Sequence, residues 1–130
     1  ASLYGAYGLQ VFSGCQGALN LDCMGYEACD EVDIYVEANS NAALQCHGKY
    51  SCKGLYVWLF EGSELNVDAD GYWAAKSVNI QYPEENSLFD ANIRVRATGY
   101  EVLRDAQIRC PDMDNNVNSK YCDVYVYGND

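Results

Sequence analysis

Seven cysteines and a single histidine are the side chains here whose types could form bonds, hold a metal or attack a substrate. Cys23 and Cys29 are six residues apart, as are Cys46 and Cys52, and no Cys-x-x-Cys occurs. Zinc sites favour shorter Cys-x-x-Cys pairs joined by histidines, so this spacing argues for disulfides and an oxidising compartment. His47, placed between Cys46 and Cys52, has no nucleophile in its frame and reads as a surface side chain rather than a general base. No residue is assigned a catalytic role, and the chain is not expected to be an enzyme.

Two other patterns imitate sites. Asn66, Asp68 and Asp70 precede Gly71 at alternate positions, as calcium ligands do at the start of an EF-hand loop, but the twelfth position is Ser77 rather than Glu. Asp112, Asp114 and Asn116 form a second cluster without the glycine. Both read as the solvated side of a strand or loop, so no metal and no cofactor is expected. Lys53, Lys76 and Arg104 fall in one column with Asp30, which is a poor match to a lyase groove for acidic sugars and a good match to surface ion pairing.

Charge narrows the partners. Eight basic against nineteen acidic residues give a net charge of −11. That field repels nucleic acid, which needs cations to displace its counterions, and disfavours anionic lipid. The longest apolar run, Leu55 to Phe60, falls far below the roughly 18 residues of a membrane-spanning helix, so membrane insertion is not expected. Asn-x-Ser/Thr is absent, and a first residue other than Met is what removal of a secretion signal would leave.

The elements that must position these residues come from an internal repeat. Cys23-Met24-Gly25-Tyr26-Glu27-Ala28-Cys29 returns 23 residues later as Cys46-His47-Gly48-Lys49-Tyr50-Ser51-Cys52. The same glycine recurs as Gly71 after another 23 and as Gly99 after 28, with the extra residues in the polar loop Pro83-Glu84-Glu85-Asn86-Ser87. Apolar residues alternate before each glycine, at Leu19 and Leu21, Ala42 and Leu44, Leu65 and Val67, Ile93 and Val95. They alternate after it at Val32, Ile34 and Val36, at Leu55, Val57 and Leu59, at Val78, Ile80 and Tyr82, and at Ala106, Ile108 and Cys110. Alternation at a constant period predicts an all-β fold, a disulfide-stapled parallel β-helix of about four coils, in which Leu21, Leu44, Val67 and Val95 stack, as do Ile34, Val57, Ile80 and Ile108. The alternative is a β-sandwich, which needs no constant frame and usually shows hairpin turns such as Asn-Gly, absent here. One domain spans 1–130: an N-terminal segment and partial coil at 1–18, repeat coils at 19–110, and a C-terminal cap or edge strand at 111–130.

The third repeat has Ala69 and Ala75 where the first two have cysteines, and the fourth has Ala97 and Leu103. Joint loss favours Cys23–Cys29 and Cys46–Cys52 bridges, with Cys23–Cys46 and Cys29–Cys52 between stacked coils as the alternative. Cys110 and Cys122 bracket a polar loop that they can close. Cys15, roughly 19 Å away by coil counting, is left to bridge to another chain or to remain a free thiol.

Surface aromatics are the strongest remaining signal. Tyr26, Tyr72 and Tyr100 share an outward column with Lys49, and Tyr35 lies beside Trp58 with Tyr56 adjacent. The last strand shows Tyr121, Asp123, Tyr125 and Tyr127 on one side. An open β-helix end is an unpaired edge that must be covered. Tyr4, Tyr7, Leu9 and Val11 near one end, and Tyr121, Tyr125 and Tyr127 near the other, are therefore expected to bury area between copies, the 1–12 segment of one covering the 121–127 strand of another. The alternative partner is a glycan stacked on Tyr35, Tyr56 and Trp58.

The Cys-x-Gly-x-x-Ala/Ser-Cys corner followed by an alternating strand resembles a cysteine-rich β-helical repeat of secreted, largely uncharacterised algal and protist proteins. The resemblance covers roughly 19–110 and is strongest in the first two repeats. It implies a secreted, extracellular or cell-surface location and a structural role, and it carries over no catalytic residue. The function expected is a structural protein, the protomer of a filament or cell-surface assembly built through end-to-end edge contacts.

Overall fold

The computed structural model describes residues 10–14, 17–81, 91–109 and 121–127. Ten strands and no helix occur among them: β1 (Gln10–Phe12), β2 (Ala18–Met24), β3 (Asp33–Val36), β4 (Asn41–His47), β5 (Tyr56–Leu59), β6 (Ser63–Asp70), β7 (Asn79–Gln81), β8 (Ala91–Thr98), β9 (Gln107–Ile108) and β10 (Tyr121–Tyr127). Successive strands go to alternate sheets. Sheet I has the order β1-β3-β5-β7-β9 and sheet II the order β10-β8-β6-β4-β2. Every pairing is parallel.

Each strand forms because its apolar residues alternate with polar ones; in β6 Leu65, Val67 and Ala69 are buried while Glu64, Asn66, Asp68 and Asp70 are exposed. The register repeats the sequence period. Val11, Ile34, Val57, Ile80 and Ile108 pair in succession across sheet I. Leu21, Leu44, Val67, Val95 and Val124 do so across sheet II. A slip of one residue would expose a whole inward row, so burial itself enforces this register. The inward rows of both sheets join one buried cluster.

Between a sheet II strand and the following sheet I strand lies a bend that begins at Gly25, Gly48, Gly71 or Gly99. These glycines are stacked. A Cβ on Gly48 would lie 2.8 Å from the Gly25 carbonyl oxygen, and one on Gly99 would lie 2.6 Å from that of Gly71. Gly48 has φ +123° and Gly99 +133°, where side chains are strained in any case.

The rest of the bend departs from a tight corner. Positive φ recurs two, four and six residues after the glycine: at Glu27, Tyr50, Trp73 and Glu101; at Cys29, Cys52, Ala75 and Leu103; and at Glu31, Gly54, Ser77 and Asp105. Each left-handed non-glycine residue costs about 1–2 kcal/mol. Hydrogen bonds between adjacent repeats offset that cost. Tyr50 N donates to Tyr72 O at 3.1 Å in the next repeat, and Cys52 N donates to Ala28 O at 2.7 Å in the preceding one. Trp73 to Tyr100 O and Ala75 to Ser51 O repeat the pattern at 2.9 and 2.8 Å.

On the far side, the chain returns to sheet II through a second bend lined by Ser40 and Ser63, both fully buried. Ser40 Oγ donates to Gly14 O at 2.7 Å and accepts from Gly17 N at 3.1 Å, satisfying backbone groups that the bend would otherwise strand. Here too the backbone bonds from repeat to repeat, with Asn41 N to Gly17 O at 3.0 Å and Glu64 N to Ser40 O at 2.9 Å.

Candidate functional site

Disulfides join Cys23 to Cys29 and Cys46 to Cys52, with Cα separations of 5.6 and 5.7 Å. Each bridges a buried strand residue to the second left-handed position after the glycine of its own bend, so it clamps the bend. Ala69 and Ala75 occupy the matching buried places in the next repeat. Cys122 is disulfide-bonded; Cys110 and Cys15 lie outside the described residues.

Among the described residues, sheet I holds β1 one repeat ahead of β2 in sheet II, and sheet II holds β10 one repeat beyond β9 in sheet I. Inward residues of β10 therefore have no described strand across from them. Val124 and Val126 are 41% and 42% exposed, whereas their register partners Val95 and Ala97 are fully buried. Tyr125 and Tyr127, on the outward side, stack with ring centres 4.4 Å apart. At the opposite end Phe12 is 57% exposed, one ring face lying on Tyr35 at 4.7 Å.

Of the residues expected at these ends, Val11 points inward in β1, is partly buried and pairs with Ile34. Tyr121 pairs with Asn92, and Tyr125 and Tyr127 are exposed. Tyr4, Tyr7 and Leu9 lie outside the described residues. β10 is held to β8 by Arg96, which donates to Asp123 at 2.9 Å and lies over the Tyr125 ring at 5.8 Å. The hydrogen bond from Arg96 keeps the Asp123 carboxyl below the usual carboxylate range and raises the guanidinium value in turn. A hydrogen bond with Tyr125 raises the Tyr127 phenol.

The expected glycan residues sit on the outer face of sheet I. Tyr35 and Trp58 are register partners, and Tyr56 stacks on Trp58 at 5.1 Å. All three are half-buried, because rings at neighbouring strand positions cover one another. A second aromatic group, on the bends, was only partly visible in the sequence. Tyr72 stacks on Tyr100 at 4.8 Å, and Trp73 packs against Tyr50 and Tyr72 at 4.8 and 4.9 Å. Lys49 lies over Tyr50 and Tyr72, and Lys76 over Trp73. Tyr50 and Trp73 lie outside the glycine-plus-one column, at the half-buried left-handed position two residues after their glycines. The negative charge of Glu101 is the main reason the Tyr100 phenol is raised.

Lys53, Arg104 and His47 each face a carboxylate. Lys53 meets Glu27 at 3.9 Å and Asp30 at 4.0 Å, Arg104 meets Glu101, and His47 Nδ1 is 4.0 Å from Asp70. A notch of about 560 Å³ over Gly54 is lined by Tyr26, Tyr50, Lys53 and Lys76 together with Glu27 and Glu31, so its ammonium and carboxylate groups balance. Asn66, Asp68 and Asp70 spread outward along β6 rather than converging, and no group of three or more His, Cys, Asp or Glu among the described residues could hold a metal. Asp112, Asp114 and Asn116 lie outside the described residues.

Comparison of the chain with protein-family models, with curated proteins and with solved structures finds no match.

Proposed function

We propose that the chain is a short parallel β-helix that serves as an extracellular structural subunit, assembling end to end into a filament or cell-surface array. Support for the helix comes from hydrogen bonds linking neighbouring repeats in both sheets and at both bends. The observation that carries the assembly reading is the exposure of Val124 and Val126, inward residues whose equivalents in the preceding repeat are sealed from water. Exposed apolar rows on a parallel edge with no neighbour among the described strands are a template for another strand. A contact between two different ends does not close on itself, and repetition makes a fibre. Disulfides are compatible with an extracellular location.

Sedimentation velocity across a concentration series tests this reading. The wild-type chain is expected to form polymers, and Val124→Asp is expected to stay monomeric with an unchanged far-ultraviolet circular dichroism spectrum. A wild type that remains monomeric at every concentration would refute the reading.

Glycan binding at Tyr35, Tyr56 and Trp58 is the second reading, favoured by their clustering on one outer face. Glycan-array binding by the monomeric Val124→Asp variant, lost on adding Trp58→Ala, would support it.

A further inference from the structure

The four glycine bends share one backbone but not one surface. Positions two and six residues after the glycine have positive φ in every repeat. At the first of these the outer repeats carry Glu27 and Glu101, whereas the middle two carry Tyr50 and Trp73. At the second the outer repeats carry Glu31 and Asp105, whereas the middle two carry Gly54 and Ser77. The same backbone accommodates both sets, so conformation does not dictate the difference. The middle bends, 48–54 and 71–77, hold Lys49, Lys53 and Lys76 and no acidic residue, in a chain of net charge −11. All four bends lie within the described residues, and each middle bend has a neighbouring bend on both sides. We propose that these two bends bind an acidic polysaccharide, its sugar rings lying on Tyr50, Tyr72 and Trp73 and its carboxylate or sulfate groups meeting Lys49 and Lys76.

The ammonium groups of Lys49 and Lys76 lie over rings, 5.4 Å from the Tyr72 centre and 5.3 Å from that of Trp73, with no carboxylate among the described residues in ion-pair range. An incoming anion therefore gains a charge pair at these two lysines without breaking one. The rings offer their negative faces to the weakly positive C–H bonds of a pyranose. Tyr50 and Trp73 hold the same place in adjacent repeats, with ring centres 4.8 Å apart, close to the advance per residue of an extended hexose chain. A chain running along the stack thus meets a ring at each sugar. Trp73 Nε1 is a buried donor without an acceptor among the described residues, and hydroxyl-rich sugars are a source of acceptors at that ring. Beside the rings, Gly54 opens the notch of about 560 Å³, where Glu27 and Glu31 can accept from sugar hydroxyls and Lys53 and Lys76 can hold an acidic group. The chain's remote carboxylates weigh little against these contacts, because the Debye length is about 8 Å at physiological salt. Neither the β10 edge nor Tyr35, Tyr56 and Trp58 take part, so the site is independent of both readings above.

Isothermal titration calorimetry of the full chain at physiological salt tests the site with four probes: an oligogalacturonate, a dextran sulfate oligomer, a neutral cello-oligosaccharide and polyglutamate. Binding of at least one acidic sugar is expected, and comparison of the first two probes tells whether carboxylate or sulfate is preferred. The double variant Lys49→Gln with Lys76→Gln is expected to bind at least about tenfold more weakly, since each lost ammonium removes a charge-assisted contact. Ser77→Asp returns a carboxylate to the place that Asp105 holds in the fourth repeat, and both positions have φ +59°. That variant is expected to keep the wild-type thermal midpoint and to lose affinity to a similar degree, whereas Trp58→Ala should bind as the wild type does. Absence of binding to both acidic sugars would overturn the proposal. Equally tight binding of the neutral sugar would overturn the acidic class, and equally tight binding of polyglutamate would reduce the site to a charge patch with no preference for sugars. Affinity lost on Trp58→Ala but kept in Ser77→Asp would move the site off the bends and onto sheet I.

Discussion

The third repeat lacks a disulfide, and restoring one there tests whether all repeats are structurally equivalent. Ala69 pairs in register with Cys46, and Ala75 has φ +57°, matching Cys52 at the same place in its own bend. Ala69→Cys with Ala75→Cys would close a loop of the same six-residue separation as the two native bridges. Loop-closure entropy for that length gives about 2.2 kcal/mol of stabilisation at 25 °C. With an unfolding entropy of about 2.1 cal/mol/K per residue over 130 residues, 1 kcal/mol moves the midpoint by about 4 °C, so the ceiling is roughly 8 °C. The opposing effect is crowding by the added sulfurs. Both alanines are fully buried, and Leu103 holds the matching position of the following repeat. Overpacking starts at about 1 kcal/mol, which leaves a rise of at most about 4 °C. Intact-mass measurement should show loss of two hydrogens, and thermal unfolding by circular dichroism should show the rise, which the single Ala69→Cys and Ala75→Cys controls should lack. Failure of the two thiols to join, or a lower midpoint with the bond formed, would refute the equivalence of the bends.

Gly48→Ala puts a Cβ 2.8 Å from the Gly25 carbonyl oxygen at φ +123°, and is expected to cost at least about 2 kcal/mol in urea denaturation. Leu44→Ala empties a fully buried place in the sheet II row and is expected to cost about 2–5 kcal/mol by the same assay, with the fold retained. The Arg96–Asp123 pair gives the one pH prediction. Because the Asp123 carboxyl is held below its ordinary value, the pair's contribution is full above about pH 4 and is lost as pH falls through the lowered native value. Hydrogen exchange of β10 amides should accelerate in that acid window, and Asp123→Asn should remove the dependence. Equal exchange in β10 and β8 across the window would count against the pair as the clamp.

Hydrophobic alternation and a constant period, both local and countable, were enough to give the parallel ladders. Leu21, Leu44, Val67 and Val95 occupy adjacent strands because a parallel stack puts residues one period apart next to each other. The joint loss of both cysteines at Ala69 and Ala75 likewise pointed to bridges within each repeat, since a bond within one unit needs both partners there. Backbone handedness was not readable. Left-handed φ at Tyr50, Cys52 and Trp73 runs against intrinsic preference, and it persists because hydrogen bonds to the repeats on either side are available only once those repeats are in place. For the same reason the contacts of Lys49 with Tyr50 and of Lys76 with Trp73 came from the bend's shape, whereas Lys49 over Tyr72 follows the column read from spacing. Strand order places β1 and β10 in different sheets, and among the described residues no sheet I strand lies across from Val124 and Val126, which are open to water. The amino-acid sequence by itself determined which residues face inward and how far apart equivalent ones lie, because those depend on local periodicity. Tertiary structure decided the shape of the bends, because that depends on which neighbouring repeat is present to accept a hydrogen bond.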